Sequence, residues 1–316
     1  MKIPKQLTTL IIGSLLNSCL LIACHPTQAK SPKATSQKQA IEEILQSAGL
    51  TVGSLDEALE KAELAKQSNN MDLAQLYYVE AYQFEPTNVM VLQKMTELYI
   101  QLQKYDLAEV CLKLILEQKP NDLPTLEQYG LLLLKKGNYP EAEKKLNEVI
   151  ARKKNWSAYN SLGILANLQG DPQKAERYFQ EADKIFPNSP EILNNWGFAL
   201  YSLGHLQDAA SRYQKALQIN PNYKKALYNY GLLKTRVRKY SEAYTIFVKA
   251  TTPIEASNDV GYLAMMNHDF ESAKKYLEQA IRLSPQYYRK ANDNLLRLQQ
   301  MQKNESDKNS MDTQLQ

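Results

Sequence analysis

Residues 190–223 read PEILNNWGFALYSLGHLQDAASRYQKALQINPNY, and the stretch before them, 156–189, reads WSAYNSLGILANLQGDPQKAERYFQEADKIFPNS. Laid over each other, the two share glycine at the eighth place (Gly163, Gly197), alanine at the twentieth (Ala175, Ala209), an aromatic ring at the twenty-fourth (Phe179, Tyr213) and proline near the end (Pro187, Pro221). The pattern extends in both directions. Seven copies begin at Leu55, Val89, Leu123, Trp156, Pro190, Lys224 and Ile254, at spacings of 34, 34, 33, 34, 34 and 30 residues. The eighth place is small in every copy but the second: Ala62, Thr96, Gly130, Gly163, Gly197, Gly231 and Gly261. The twentieth is always alanine, and the twenty-fourth always bulky: Tyr78, Leu112, Leu146, Phe179, Tyr213, Phe247 and Leu277.

Each copy holds two amphipathic runs of about 13 residues, a length that is marginal for an isolated helix, so each must bury its apolar face on its neighbours. Small residues at the eighth and twentieth places allow close approach, and the bulky twenty-fourth fills the space between helices. Capping residues mark the ends. Ser54 with Glu57 reads as a capping box, Asp171-Pro172 and Ser189-Pro190 as N-cap with a first-turn proline, and Gly137, Gly170 and Gly204 as the ends of first helices. The last spacing is about one helical turn short, and Thr251, Thr252 and Pro253 stand where a second helix should end, so the stack is expected to kink there.

This pattern resembles the tetratricopeptide repeat over residues 55–287. The resemblance implies an all-α, right-handed superhelical solenoid of helix hairpins. Around it are expected a capping helix and turn over 41–54, a C-terminal capping helix over 288–302 and a disordered tail over 303–316. It also implies an inner surface built from the second, fifth, ninth, twelfth and thirteenth places of each first helix. By register these are Asn160, Ile164 and Asn167 in copy four and Asn194, Phe198 and Tyr201 in copy five. Copy six adds Lys225, Tyr228, Leu232 and Arg236, and copy seven Asn258, Tyr262, Met265 and Met266. Tyrosine, phenylalanine, methionine and arginine gathered on one face have the composition of a binding hot spot, and asparagines can hold a peptide backbone; equally, Asn194 and Asn258 can bridge adjacent helices, and Phe198 or Met265 can be buried by curvature. Copies one to three offer Asp56, Glu63, Glu97 and Glu127, a more acidic lining.

The chain has 316 residues, 44% hydrophobic and 23% charged, which excludes wholesale disorder. Its 11 glycines are too few for a glycine-rich nucleotide-binding fold, and a formal charge of +4 is too small for a nucleic-acid partner. Three scattered cysteines and three scattered histidines give neither a disulfide framework nor a zinc site. No GxSxG, HExxH, GxxxxGK[ST] or GxGxxG occurs, so the expectation is a chain with no catalysis, no cofactor and no metal. His205 and His268 fall in turns, and Cys111 reads as a small apolar group beside the bulky place of its helix.

Lys2 and Lys5 followed by the mostly apolar run Leu7 to Ala23 have the shape of a secretory signal, too interrupted for a membrane span. Leu21-Ile22-Ala23-Cys24 resembles the lipobox of bacterial lipoproteins, which implies removal of residues 1–23 and a lipid on Cys24. Two other cleavage sites compete: Leu16-Asn17-Ser18-Cys19, and a position near Ala29 that would release a soluble exported protein. Residues 24–40 read as a solvated tether reaching roughly 20–25 Å. His25 after the cysteine points, by analogy with enteric bacteria, to the outer membrane.

The segments Asn258 to Met265, Ser284 to Tyr288 and Ala291 to Leu295, with Leu193-Asn194-Asn195-Trp196-Gly197, are similar to the C-terminal repeats of the tight-adherence (Flp) pilus-assembly lipoproteins. That similarity implies a scaffold on the periplasmic face of the outer membrane, held by its lipid, with a pilus secretin or other assembly components as partners. The alternatives are a type IVa pilus pilotin and a scaffold for peptidoglycan hydrolases.

Overall fold

A computed structural model describes residues 52–314 of the chain. The signal segment, Cys24, the tether and all but the last three residues of the helix expected over 41–54 lie outside the described residues. The described residues hold fifteen α-helices and no strand. They fall into two compact units, the first ending at Arg152 and the second beginning at Lys153.

The first unit contains α1 (Leu55–Gln67), α2 (Met71–Phe84), α3 (Val89–Gln101), α4 (Tyr105–Gln118), α5 (Leu123–Lys136) and α6 (Tyr139–Arg152). The second contains α7 (Trp156–Leu168), α8 (Pro172–Ile185), α9 (Pro190–Ser202), α10 (Leu206–Ile219), α11 (Lys224–Arg236), α12 (Tyr240–Ala250), α13 (Pro253–Met266), α14 (Phe270–Leu283) and α15 (Arg289–Gln314). Within each unit the helices pair as antiparallel hairpins, α1 with α2, α3 with α4 and so on, and each hairpin packs on the next. In the second unit the odd-numbered helices α7, α9, α11, α13 and α15 also touch one another in succession, forming a continuous layer. The fold class is thus all-α and of the tetratricopeptide type.

The eighth and twenty-fourth places meet inside every glycine-bearing hairpin. A Cβ added to Gly163 would lie 2.5 Å from the Phe179 ring, one on Gly197 2.7 Å from Tyr213, and one on Gly231 2.5 Å from Phe247. Gly130 and Gly261 face Leu146 and Leu277 at 2.7 Å in the same way. The twentieth-place alanines, Ala74, Ala108, Ala142, Ala175, Ala209, Ala243 and Ala273, are completely buried. So are Tyr78, Phe179, Tyr213 and Phe247, each of which stabilises its hairpin by about 1.5–3 kcal/mol through removal of apolar surface from water.

The chain turns between paired helices at the fifteenth place, always with positive φ. Gly137, Gly170 and Gly204 stand there at 76°, 79° and 82°, whereas Asn69, Gln103, Arg238 and His268 occupy the same region at 55° to 58° without glycine's freedom. Asp171 and Ser189 cap α8 and α9 as their sequence implies, each followed by proline. The Ser54 box is only half formed. Ser54 accepts from the Glu57 amide at 3.2 Å, but the Glu57 carboxylate reaches the amide of Gly53, one residue further out, at 2.7 Å. The reciprocal box is instead Thr252 with Glu255, at the start of α13. Helix α12 has 11 residues, where the second helices of the other six hairpins have 14.

The C-terminal end corrects one expectation. Helix α15 runs on to Gln314, through the residues expected to form a disordered tail. Ala291 and Leu298 are buried where it packs on α14 and α13, and its polar second half contains no proline or glycine to stop it.

In the first unit successive hairpins are tied by charge. Glu63 accepts from the Tyr78 hydroxyl at 2.7 Å and pairs with Lys94 of α3 at 2.9 Å. Glu109 of α4 pairs with Lys113 at 2.6 Å and with Lys136 of α5 at 2.5 Å, and accepts from Tyr129 at 3.0 Å. Burial by itself would push the Glu109 carboxyl up, but bonds from Lys113, Lys136 and Tyr129 outweigh it and hold the pKa down at about 2.

Two predictions follow from this packing. Gly231→Ala should lower stability by about 1–3 kcal/mol, because the added methyl collides with Phe247, although alanine favours an open helix by about 1 kcal/mol. A urea midpoint equal to or above that of the parent protein would refute the contact. A carboxylate held below its ordinary value of 4.5 contributes stability above that pH and loses it as the pH falls toward about 2. Glu109→Gln should therefore lose less stability than the parent protein between pH 5 and pH 3, measured by urea midpoints; parallel losses would remove Glu109 from the account.

Candidate functional site

The expected groove residues of the second unit divide into a buried set and an exposed set. Asn160 and Asn194 are each 3% exposed and Asn258 is 7% exposed, and their amides join neighbouring helices. Asn195 of α9 donates to the Asn160 carbonyl of α7 at 3.0 Å, and Asn160 donates in turn to Glu191 at 3.2 Å. Asn229 of α11 donates to Asn194 of α9 at 2.9 Å, while Asn194 donates to Asn195 at 3.1 Å. Asn294 of α15 donates to Asn258 of α13 at 2.9 Å. The rule is a fifth-place asparagine accepting from a sixth-place asparagine of the next odd-numbered helix. These three residues are therefore not open amides awaiting a peptide; they bridge helices, and Met265, fully buried, belongs to the core.

The rule breaks once, between α11 and α13. There the fifth place is Tyr228 and the sixth place of the next odd-numbered helix is Asp259. The Asp259 carboxyl is pushed up by burial and by Glu255, against the opposing bond from Asn258. Burial and the nearby Asp259 likewise push up the Tyr228 hydroxyl. The Tyr228 ring rests against Phe247 with centroids 5.2 Å apart, yet the side chain stays 42% exposed.

A cavity of about 510 Å³ opens beside this break, between the middle of α9, the first half of α11 and the end of α12. Asn194, Asn195 and Phe198 line it from α9, Lys224, Lys225, Tyr228 and Asn229 from α11, and Ala250 with Thr251 from the last turn of the shortened α12. Phe198 is 40% exposed, and its ring stacks near Tyr201 at 6.4 Å between centroids. Of the expected site residues, Asn194, Phe198, Lys225 and Tyr228 converge here. Asn160 and Tyr262 do not line it, and Tyr262 is half-buried against the cluster around Phe247. Tyr201 and Arg236 form a separate clasp: the Arg236 guanidinium lies 4.7 Å from the Tyr201 ring and donates to the Tyr201 carbonyl at 2.9 Å. The sixth-place Asn195 and Asn229 and the first-place Lys224 were missed by reading only the inner-surface places. A repeat-by-repeat check of the sixth place, which is asparagine in both α9 and α11, would have found the amides.

Two of the four acids expected to line the first unit are ion-paired, Glu63 with Lys94 and Glu97 with Lys66 at 3.7 Å. His205 and His268 are exposed in their turns, with His268 lying 3.3 Å from Glu305, and Cys111 is fully buried. Among the described residues no three His, Cys, Asp or Glu side chains are grouped to hold a metal ion, and no helix is long and apolar enough to cross a membrane.

Models of the tetratricopeptide repeat match residues 130–190, 190–223 and 254–291. A tetratricopeptide-repeat-containing protein of Pseudomonas aeruginosa is 29% identical over 169 residues, which make up 53% of this chain and 26% of that protein. The chain thus spans about a quarter of the length of that curated relative. Among solved structures, a tetratricopeptide repeat protein from Parabacteroides merdae is similar with a TM-score of 0.59 at 15% identity, over 77% of this chain and 98% of that one. The Pseudomonas aeruginosa pilF structure is similar with a TM-score of 0.52 at 18% identity, over 66% of this chain and 97% of that one. At these identities both structures speak for the fold alone.

The amide bridges predict a cost. Asn194→Ala strands the donors of Asn229 and the acceptor of Asn195 and should lower stability by about 1–3 kcal/mol, whereas Phe198→Ala, at an exposed ring, should change the urea midpoint far less. Equal effects of the two substitutions would contradict the division into bridging and open residues.

Proposed function

We infer that this chain, whose repeats match models of the tetratricopeptide repeat, is a protein-interaction scaffold. We propose that it is a lipid-anchored, non-catalytic assembly factor, held by Cys24 on the periplasmic face of the outer membrane, that captures a component of a tight-adherence (Flp-type) pilus or its secretin. One observation carries the reading: two large rings, Phe198 and Tyr228, stand open to solvent beside two exposed lysines, not ion-paired among the described residues, in a cavity on the odd-numbered helices, where an anchor residue of a partner would be desolvated. The choice of the Flp system is supported by the resemblance of the closing repeats to the Flp pilus-assembly lipoproteins. A type IVa pilotin is the second reading; the likeness to the pilF structure supports the repeat fold that this reading shares with the first and does not choose between them.

Purification of the tagged chain from solubilised membranes should recover a secretin or other pilus components. Cys24→Ser should move the protein out of the membrane fraction, and Tyr228→Ala with Phe198→Ala should weaken capture by about 2–4 kcal/mol while leaving helical circular dichroism intact. Recovery of peptidoglycan hydrolases, or unchanged fractionation of Cys24→Ser, would overturn the corresponding part of this reading.

A further inference from the structure

The cavity between α9 and α11 carries two lysines on one side. Lys224 and Lys225 are both exposed at its mouth, and neither is ion-paired among the described residues. Helix α11 begins without a side-chain cap at Tyr223, so its first amides add positive potential at the same end. By contrast α7, α9 and α13 are capped by Asn155, Ser189 and Thr252.

The carboxylates around the break, Glu191, Glu255 and Asp259, form no ion pair with Lys224 or Lys225 among the described residues; their bonds come from neutral hydroxyls and amides. Glu255 accepts from Thr251 and Thr252 in the capping box of α13, Glu191 accepts from Asn160, and Asp259 is half-buried and receives a bond from Asn258. The cavity thus presents an apolar shelf, Phe198 and Tyr228, with the exposed ammonium groups of Lys224 and Lys225 at its edge and a wall shortened by the early end of α12. The cavity, about 510 Å³, is large enough to take a bulky apolar side chain together with a neighbouring one.

The geometry points to a partner segment of another protein that lies extended across α9 and α11, with a bulky apolar side chain on Phe198 and Tyr228 and an aspartate or glutamate side chain within two residues of it against Lys224 and Lys225. This rests on the reading of the second unit as a partner-binding face and adds the chemistry of what is bound. The apolar contact supplies affinity, and the charge pair selects the segment and speeds encounter, more so at low salt.

Calorimetric titration of the full chain with blocked octapeptides tests it. The probe is acetyl-Ser-Gly-Asp-Leu-Asp-Phe-Gly-Ser-amide. Its comparisons are the same peptide with asparagine for both aspartates, one with lysine for both, and the asparagine peptide with a free C-terminal carboxylate. The acidic peptide should bind at least about tenfold more tightly than the asparagine peptide at low salt, and that advantage should shrink at high salt. Lys224→Gln with Lys225→Gln should erase the advantage while circular dichroism is unchanged, and Phe198→Ala should weaken the acidic and neutral peptides alike. Equal binding of the acidic and asparagine peptides, an advantage that survives loss of both lysines, or tighter binding of the free-terminus peptide would overturn the assignment of a side-chain carboxylate. If no octapeptide binds, that assignment also fails; the binding face itself stands if capture from membranes still depends on Tyr228, and falls with it if capture does not.

Discussion

Everything in the two units depends on how closely the paired helices of a hairpin approach. A missing side chain at the eighth place lets the bulky twenty-fourth residue settle against bare backbone, as Phe179 does on Gly163 and Phe247 on Gly231, with no room for even one methyl group between them. The interior is packed closely enough that this contact fixes the spacing of the five pairs with glycine at that place; in the first two hairpins the buried Ala62 and Thr96 stand there instead. The buried twentieth-place alanines keep the remaining crossing equally tight. The repeat is thus a steric device first, and its surface residues are free to vary around it.

What varies is the way one hairpin holds the next. In the first unit the ties are ionic, through Glu63 with Lys94 and Glu109 with Lys136. In the second they are amide bridges, Asn160 with Asn195, Asn194 with Asn229 and Asn258 with Asn294. Neutral buried amides are insensitive to salt and acid where partly exposed ion pairs are not, so the two units should respond differently to both. Where the amide rule fails, at Tyr228 and Asp259, the second helix is also three residues shorter, and the open cavity lies beside that double departure. Local rule-breaking inside an otherwise regular array is where a function is most readily placed.

The hairpins were legible in the sequence because their determinants are local and repeat seven times. The first-helix starts at Leu55, Val89, Leu123, Trp156, Pro190 and Lys224 coincide with the observed ends, and the left-handed turns at Gly137, Gly170 and Gly204 are where glycine is needed. The candidate site was half legible. Phe198, Lys225 and Tyr228 followed from register, but register says which side of a helix a residue occupies, not whether a neighbour's side chain has already claimed it. Asn160, Asn194 and Asn258 occupy groove places and are nonetheless consumed by partners 35 or 36 residues away. The Ser54 box failed for a similar reason: Glu57 had a nearer amide, that of Gly53, to accept from. Helix α15 outran its expected end because polarity alone does not stop a helix; a breaker does, and residues 289–314 contain none.

The central claim is that the middle of α9 and the first half of α11, not the second-helix face, receive the partner. Hydrogen exchange of the complex purified from solubilised membranes, compared with the chain alone, tests it most directly. The account predicts that binding slows exchange over residues 194–198, 224–229 and 250–251 and leaves α8 and α10 unchanged. Slowed exchange on α8 and α10 with none on α9 and α11 would contradict it.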